Sequence, residues 1–255
     1  MKLASLRPVV LLTRPRRESR AAATALARQG IDCIRMPLQS TRRAPRTSTL
    51  EADLRWAGGA SVQIFVSRAA VVAALAVAPT AVAAASTRIA VGRATAAALQ
   101  RRGMSAISAP GQAEDSDGVL GLTPVHEVRG MRIAIWAAPG GRDRIADVLS
   151  QRGAQVRAIA IYQRLPQRPR MAALRRLRAV LECCVLTATS GALLQSLDQT
   201  LQCRGLARLR TRPLIVVSER IATLARTRGF ESVHVARGAS PEALIAALGD
   251  PHLWS

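Results

Sequence analysis

The chain has 255 residues, 49% of them hydrophobic, which is enough for two small domains with real cores and excludes a disordered polymer. Its formal net charge is +21, from 37 Lys and Arg against 16 Asp and Glu, and Lys2 is the only lysine. Aromatics are 2%, so Ala, Leu and Val must fill the cores, and the stacking side chains of a single-strand nucleic-acid binder are missing. The charge alone fits either an anionic partner or arginines scattered over solvated faces; nucleic acid is not the expected partner. No apolar run reaches the length of a membrane span, and Val9–Leu12 is too short for a signal sequence and is followed at once by Thr13-Arg14-Pro15-Arg16-Arg17. The expectation is a cytoplasmic, monomeric protein that does not touch a membrane. Cys33, Cys183, Cys184 and Cys203 show no CxxC spacing, so free thiols are expected rather than disulfides or metal ligands.

Along the chain, Val9–Thr13 reads as a buried parallel strand and Glu18–Arg28 as a helix stopped by Gly30. Ile31–Leu38 is strand-like, Ser40–Thr49 a polar loop, and 49–58 a short helix. Strands follow at 62–66, 88–91, 106–109, 132–136 and 155–162, with helices at 68–77, 94–102, 117–122 and 143–152 between them. After the loop Leu165–Arg170 the alternation resumes: helix 171–178, strand 183–186, a helix after Ser190, strand 214–217, helix 219–228, strand 232–236 and helix 241–248. Strands alternating with short helices imply parallel sheets covered on both faces, and about five strands per domain suits a flavodoxin-like arrangement.

A repeat is interleaved along this path. Arg88–Gly103 (RIAVGRATAAALQRRG) matches Leu214–Gly229 (LIVVSERIATLARTRG), Ser67–Leu75 pairs with Thr187–Leu194, and Ser116–Leu120 pairs with Ser240–Leu244. Thr13–Gly30 resembles Ala137–Gly153. The first member of that last pair belongs with the C-terminal copy, as if the chain were permuted. The expected domains are 1–36 plus 165–255, and 41–160, joined by hinge strands at 36–40 and 161–164. Two similar domains create a cleft, where ligands usually sit.

With these motifs in hand the chain resembles the uroporphyrinogen-III synthase family over essentially its whole length. The marks are Thr13-Arg14-Pro15; Pro37-Leu38; Phe65-Val66-Ser67 with Ala70-Val71; Val91-Gly92-Arg93-Ala94-Thr95-Ala96; Arg152-Gly153-Ala154 with Tyr162-Gln163-Arg164; and Val217-Ser218-Glu219-Arg220-Ile221-Ala222. The chain departs from the family's Thr-Ser pairs, which fall on Val66-Ser67 and, in this alignment, Thr187-Ala188. The resemblance implies a cofactor-free, metal-free lyase. Such an enzyme cyclises hydroxymethylbilane, a linear tetrapyrrole with eight carboxylates, and inverts its ring D through an azafulvene and a spiro intermediate. The rival expectation is a non-catalytic two-domain module that binds or senses an anionic ligand.

Carboxylates suit helix N-termini, where free N–H groups and the positive dipole end converge. Ser67, Gly92, Thr95, Thr187, Ser190 and Ser218 all follow predicted strands at or near helix starts, which is the ligand edge of an open α/β sheet. They are candidate substrate-binding residues, and the hydroxyls among them are equally candidate N-caps. Thr13, Arg14 and Arg68 follow strand ends and are candidates for the same carboxylates. Gly141, in Gly140-Gly141-Arg142, lacks the Lys and Ser/Thr of a phosphate loop and is a candidate turn for one carboxylate. Tyr162 is the only tyrosine. The resemblance gives it the role of acid toward the leaving hydroxyl; a hinge-packing aromatic is the alternative. His126, His234 and His252 are scattered, and no metal site or catalytic dyad is expected from them.

Overall fold

The structure is a computed structural model that describes residues 8–109, 116–140, 143–250 and 253. In chain order the elements begin with β1 (Val9–Leu12), α1 (Arg16–Arg28), β2 (Asp32–Arg35), β3 (Gln39–Arg43), α2 (Ser48–Ala57), β4 (Val62–Phe65), α3 (Arg68–Val77) and α4 (Pro79–Ala84). Next come β5 (Thr87–Ala90), α5 (Arg93–Gln100), α6 (Ser116–Leu120), β6 (Arg132–Ala137), α7 (Asp143–Gln151), β7 (Gln155–Ala160) and β8 (Tyr162–Pro166). The last stretch holds α8 (Met171–Arg178), β9 (Cys184–Ala188), α9 (Gly191–Cys203), β10 (Leu214–Val216), α10 (Glu219–Thr227), β11 (Val233–Val235) and α11 (Pro241–Leu248). Two compact units result: Met1–Ser40 with Leu165–Ser255, and Thr41–Arg164.

Unit one is a parallel sheet of order β11-β10-β9-β1-β2. Taken in chain order, its strands run two-one-three-four-five across the sheet, the flavodoxin-like winding. Both faces are apolar, as a parallel sheet requires. Leu11, Leu186, Leu214 and Val216 face α8, α9 and α10. Val10, Leu12, Val185 and Ile215 face α1 and α11.

Unit two is a parallel sheet of order β5-β4-β6-β7, extended beyond β5 by a single parallel bridge from Ile89 to Ile107. Starting the count at β6 instead of β4 gives the same winding as unit one. β6-α7-β7 then matches β1-α1-β2, β4-α3-β5-α5 matches β9-α9-β10-α10, and α6 matches α11. The sequence repeats fall on these matching elements, so the two units are one fold cut at different points of the chain. Ile133, Ile135 and Ala137 pack on one face with Ile145 and Leu149 of α7. Ala134 and Trp136 pack on the other, with α2, α3, α4 and α5. A buried amide locks that face. Gln63 Nε2 donates to Ala57 O (3.2 Å) and Ala81 O (2.7 Å), and Trp136 Nε1 donates to Gln63 Oε1 (2.9 Å). In unit one the counterpart is Asp198 of α9, which accepts from Arg210 Nε (3.0 Å) and Arg228 Nη1 (3.2 Å).

The connecting strands differ from the sequence expectation. The run 31–38 does not continue as one strand. β2 ends at Arg35, and the ladder restarts at Gln39 as β3, which pairs with β8. Pro37, which has no N–H, sits in the gap. β3 takes the first half of the expected loop 40–49. The flanking bonds Gln167 N–H to Leu38 O (2.8 Å) and Ala44 N–H to Ile161 O (3.0 Å) show that the β3–β8 pair is antiparallel. The expected strand 155–162 likewise breaks at Ile161, whose N–H meets Ile159 O (2.9 Å) in a γ-turn. Helix α4 was not expected, because its apolar run Pro79–Ala84 carries no face pattern. Among the described residues no helix is long and apolar enough to cross a membrane.

Candidate functional site

In both units, adjacent strands end in an extended residue that opens a helix on one side of the sheet. Ser67 (φ −164°, ψ 161°) opens α3 and Gly92 (φ −149°, ψ 165°) opens α5. Ser190 (φ −159°, ψ 158°) opens α9 and Ser218 (φ −166°, ψ 154°) opens α10. Each unit therefore presents two neighbouring helix N-termini at the C-terminal edge of its sheet; the third amide of each is taken by Ser67 Oγ, Gly92 O, Ser190 Oγ or Ser218 O, and the first two lie outside the helical ladder.

The hydroxyls are used differently. Ser67 Oγ accepts the Ala70 N–H (3.1 Å) and Ser190 Oγ the Leu193 N–H (3.2 Å), so both are N-caps. Ser218 makes no side-chain cap bond and is half-buried. Thr95 is the third residue of α5, in its first turn, and is buried. The matching caps also correct the alignment of the Thr-Ser pairs. Val66-Ser67 corresponds in space to Thr189-Ser190, not to Thr187-Ala188, so the second pair is intact. Thr189 is the residue that sequence reasoning missed. The signal was there in the cap spacing: the serine three residues before the bonded amide.

Thr187 has another task. Its Oγ1 donates to Leu11 O (2.6 Å), while Thr13 Oγ1 donates to Thr187 O (2.8 Å). Both are buried, and together they clasp β1 to β9 where the winding of unit one reverses. The two hydroxyls are thus already committed to strand carbonyls. Arg14 meets Glu18 through Nε (2.9 Å) and Nη2 (2.8 Å) and donates from Nη1 to Ala239 O, so each of its three guanidinium nitrogens already has a partner. A small hollow between Arg14, Thr187, Thr189, Gly238 and Ser240 has a volume of about 20 Å³, room for a water but not for a pyrrole ring.

In unit two, Tyr162 begins β8 with 1% of its surface exposed, and it belongs to the core cluster that also holds Ile159, Ile161 and the α3 alanines. Its phenol oxygen is 3.0 Å from Ser67 Oγ and accepts from Arg164 Nη2 (3.2 Å). The Arg164 guanidinium also lies against the ring, 5.8 Å from its centroid. This side chain is therefore both a core aromatic and part of a hydroxyl chain that reaches the start of α3. Arg164 was not singled out in the sequence. Arg68, at the first position of α3, is half-buried with no ion-pair partner among the described residues. Gly141, Arg142 and His252 lie outside the described residues.

Two of the four thiols are held in the protonated form. Burial pushes Cys184 up to about 12, with the neighbouring Cys183 adding to it, and burial also raises Cys33. Among the described residues no group of three or more His, Cys, Asp or Glu side chains is placed to hold a metal ion. What the edge does provide is backbone donors, hydroxyls and guanidinium groups: a donor-rich rim suited to carboxylates.

Comparison with known proteins points the same way. The family model described as uroporphyrinogen-III synthase HemD matches residues 20–246. The uroporphyrinogen-III synthase of Escherichia coli (strain K12) is 34% identical over 169 residues, covering 62% of this chain and 65% of that protein, just under two thirds of its length. Among solved structures, a mutant uroporphyrinogen III synthase from the extremely thermophilic bacterium Thermus thermophilus superposes with a TM-score of 0.57 at 19% identity, covering 94% of this chain and 96% of its own. The enzyme of that name from Helicobacter pylori 26695 gives 0.56 at 14% identity, covering 95% and 99%. At such identities these structures speak for the fold.

Proposed function

The chain belongs to the uroporphyrinogen-III synthase family, and on that premise we propose that it cyclises hydroxymethylbilane, with loss of water and inversion of ring D, to uroporphyrinogen III. The observation that carries this reading is the pair of open helix N-termini at the same sheet edge of each unit, in a chain whose site chemistry is all donor and no nucleophile. A substrate with eight carboxylates needs many anion seats and little chemical activation.

The substrate's hydroxyl departs as water and leaves an azafulvene. Ring D attacks that electrophile through its substituted carbon, and the spiro intermediate fragments and recloses with the ring turned. Because the chemistry is intrinsically easy, the protein's main work is holding one substrate conformation and excluding the uninverted closure. In this reading, the amides opening α3 and α5 are carboxylate seats of unit two, with Arg68 beside them, and those opening α9 and α10 are carboxylate seats of unit one, with Ser218 beside them. Ser67 meets the leaving hydroxyl. Tyr162 and Arg164 stand behind Ser67: the guanidinium donates to the phenol oxygen, which fixes the phenol against Ser67. So deeply buried a phenol reaches the substrate through that serine rather than directly. The protein acts on this small molecule as a monomer in the cytoplasm.

The test is the rate at which purified protein consumes hydroxymethylbilane. Catalysed loss above the protein-free rate, with KM rising as salt is added, is the expected result. Loss no faster than the spontaneous reaction at any protein concentration would refute the reading.

A further inference from the structure

β2 is the last strand of its sheet, and among the described residues no strand pairs with its outer edge. α1 covers one face there and α8 packs near the other. Between them runs a groove of about 240 Å³, just below the roughly 300–1,000 Å³ of ordinary small-molecule pockets. Five arginines from separate parts of the chain line it: Arg16 of α1, Arg35 of β2, Arg168 and Arg170 from the segment after β8, and Arg176 of α8. Among the described residues no carboxylate lines it. Glu18, on the same turn of α1, is held by Arg14. Arg176 Nη2 donates to Cys33 O (3.3 Å), which fixes one guanidinium against the free strand edge. Among the described residues, Arg16, Arg35, Arg168 and Arg170 form no ion pair.

Five like charges gathered in one concavity repel one another, and the concave wall concentrates their field. An anion placed there relieves the repulsion and meets several planar forks that match carboxylate or phosphate oxygens two at a time. Elsewhere arginines that approach one another share a carboxylate, as Arg210 and Arg228 share Asp198. We propose that the β2-edge groove is an anion-binding site for a compact ligand, or the corner of a larger one, carrying two or more carboxylate or phosphate groups. The site is separate from the helix starts assigned to catalysis and does not depend on that assignment.

Titration calorimetry with inorganic pyrophosphate and with citrate, at an ionic strength of about 0.15 M, tests it. The wild-type chain should bind at least one of them at a single site. Binding should weaken by roughly tenfold or more in the triple variant Arg35→Gln, Arg168→Gln, Arg170→Gln. A charge-matched control, Arg101→Gln, Arg102→Gln, Arg208→Gln, loses the same three charges from exposed positions outside the groove and should change the affinity little. Preference for pyrophosphate assigns the site to phosphate ligands, and preference for citrate to polycarboxylates. No binding of either probe, or equal weakening in the two triples, overturns the proposal, because the attraction would then be net charge alone.

Discussion

Tyr162→Phe separates a positioning role from an obligatory acid. The substitution keeps the ring in its packed place and removes one oxygen, which contacts Ser67 Oγ at 3.0 Å and Arg164 Nη2 at 3.2 Å. Arg164 is exposed and regains water, and Ser67 keeps its bond from the Ala70 amide. The stability loss should therefore stay near the net worth of one hydrogen bond, about 0.5–1.5 kcal/mol. Ser67→Ala costs the cap as well, about 1 kcal/mol more, and leaves the phenol with Arg164 alone. The double variant should show a coupling of about 0.5–1.5 kcal/mol, measured by urea unfolding of the four-member cycle. In turnover assays Tyr162→Phe should lower kcat by less than about a hundredfold, below the usual roughly 10²–10⁴ of a direct general acid, with KM little changed. Arg164→Gln, which keeps a donor, should fall between wild type and Tyr162→Phe. If Tyr162→Phe is folded, binds product and is wholly inactive, the phenol is an obligatory acid and the positioning argument fails.

Three further predictions concern the frame that holds the site. Asp198→Asn removes the charge between Arg210 and Arg228, whose guanidinium groups remain partly solvated, and should cost about 2–3 kcal/mol in urea unfolding. Gln63→Leu strands the Trp136 N–H and takes a donor from Ala81 O and from Ala57 O, which keeps the Ala60 N–H, and should cost about 2 kcal/mol or more, while Gln63→Glu should be no better. Burial raises the Cys184 thiol from 9.0 to about 12, so the folded chain holds that proton more tightly than the unfolded one. The resulting stability is complete below pH 9 and is lost as pH rises from 9 to 12, by a few kcal/mol at most. Cys184→Val should flatten that decline when unfolding is compared at about pH 8 and about pH 10.5.

The winding of both sheets was legible because buried parallel strands are continuous apolar runs, and α3, α5, α9 and α10 each open at a serine or glycine after a strand. Val9–Leu12 and Leu214–Val216 leave little choice of partner or face. The interleaving was legible from the repeats, because each copy keeps its strand-to-helix junction. What composition hid were features set by backbone pairing and by side-chain contacts far apart in sequence. The ladder from Gln39 to Arg43 is polar, so beyond the expected hinge strand 36–40 it reads as loop, and only its pairing with Tyr162–Pro166 makes it a strand. Thr13 and Thr187 look like ligand-edge hydroxyls, yet each serves a carbonyl more than 170 residues away. The pairing of Ser67 with Tyr162 spans 95 residues and leaves no local trace. Thr189 was hidden by a slip of two residues in aligning a repeat whose flanking positions are all small.

The most direct measurement of the central claim is the isomer composition of the product. Hydroxymethylbilane is incubated with catalytic amounts of the chain, the products are oxidised to porphyrins, and types I and III are separated. The account predicts type III as the dominant isomer, formed in proportion to the amount of protein. Tyr162→Phe should make it more slowly and with the same preference. A product that is type I alone, formed at the protein-free rate, would contradict the claim that this chain holds the substrate for ring inversion.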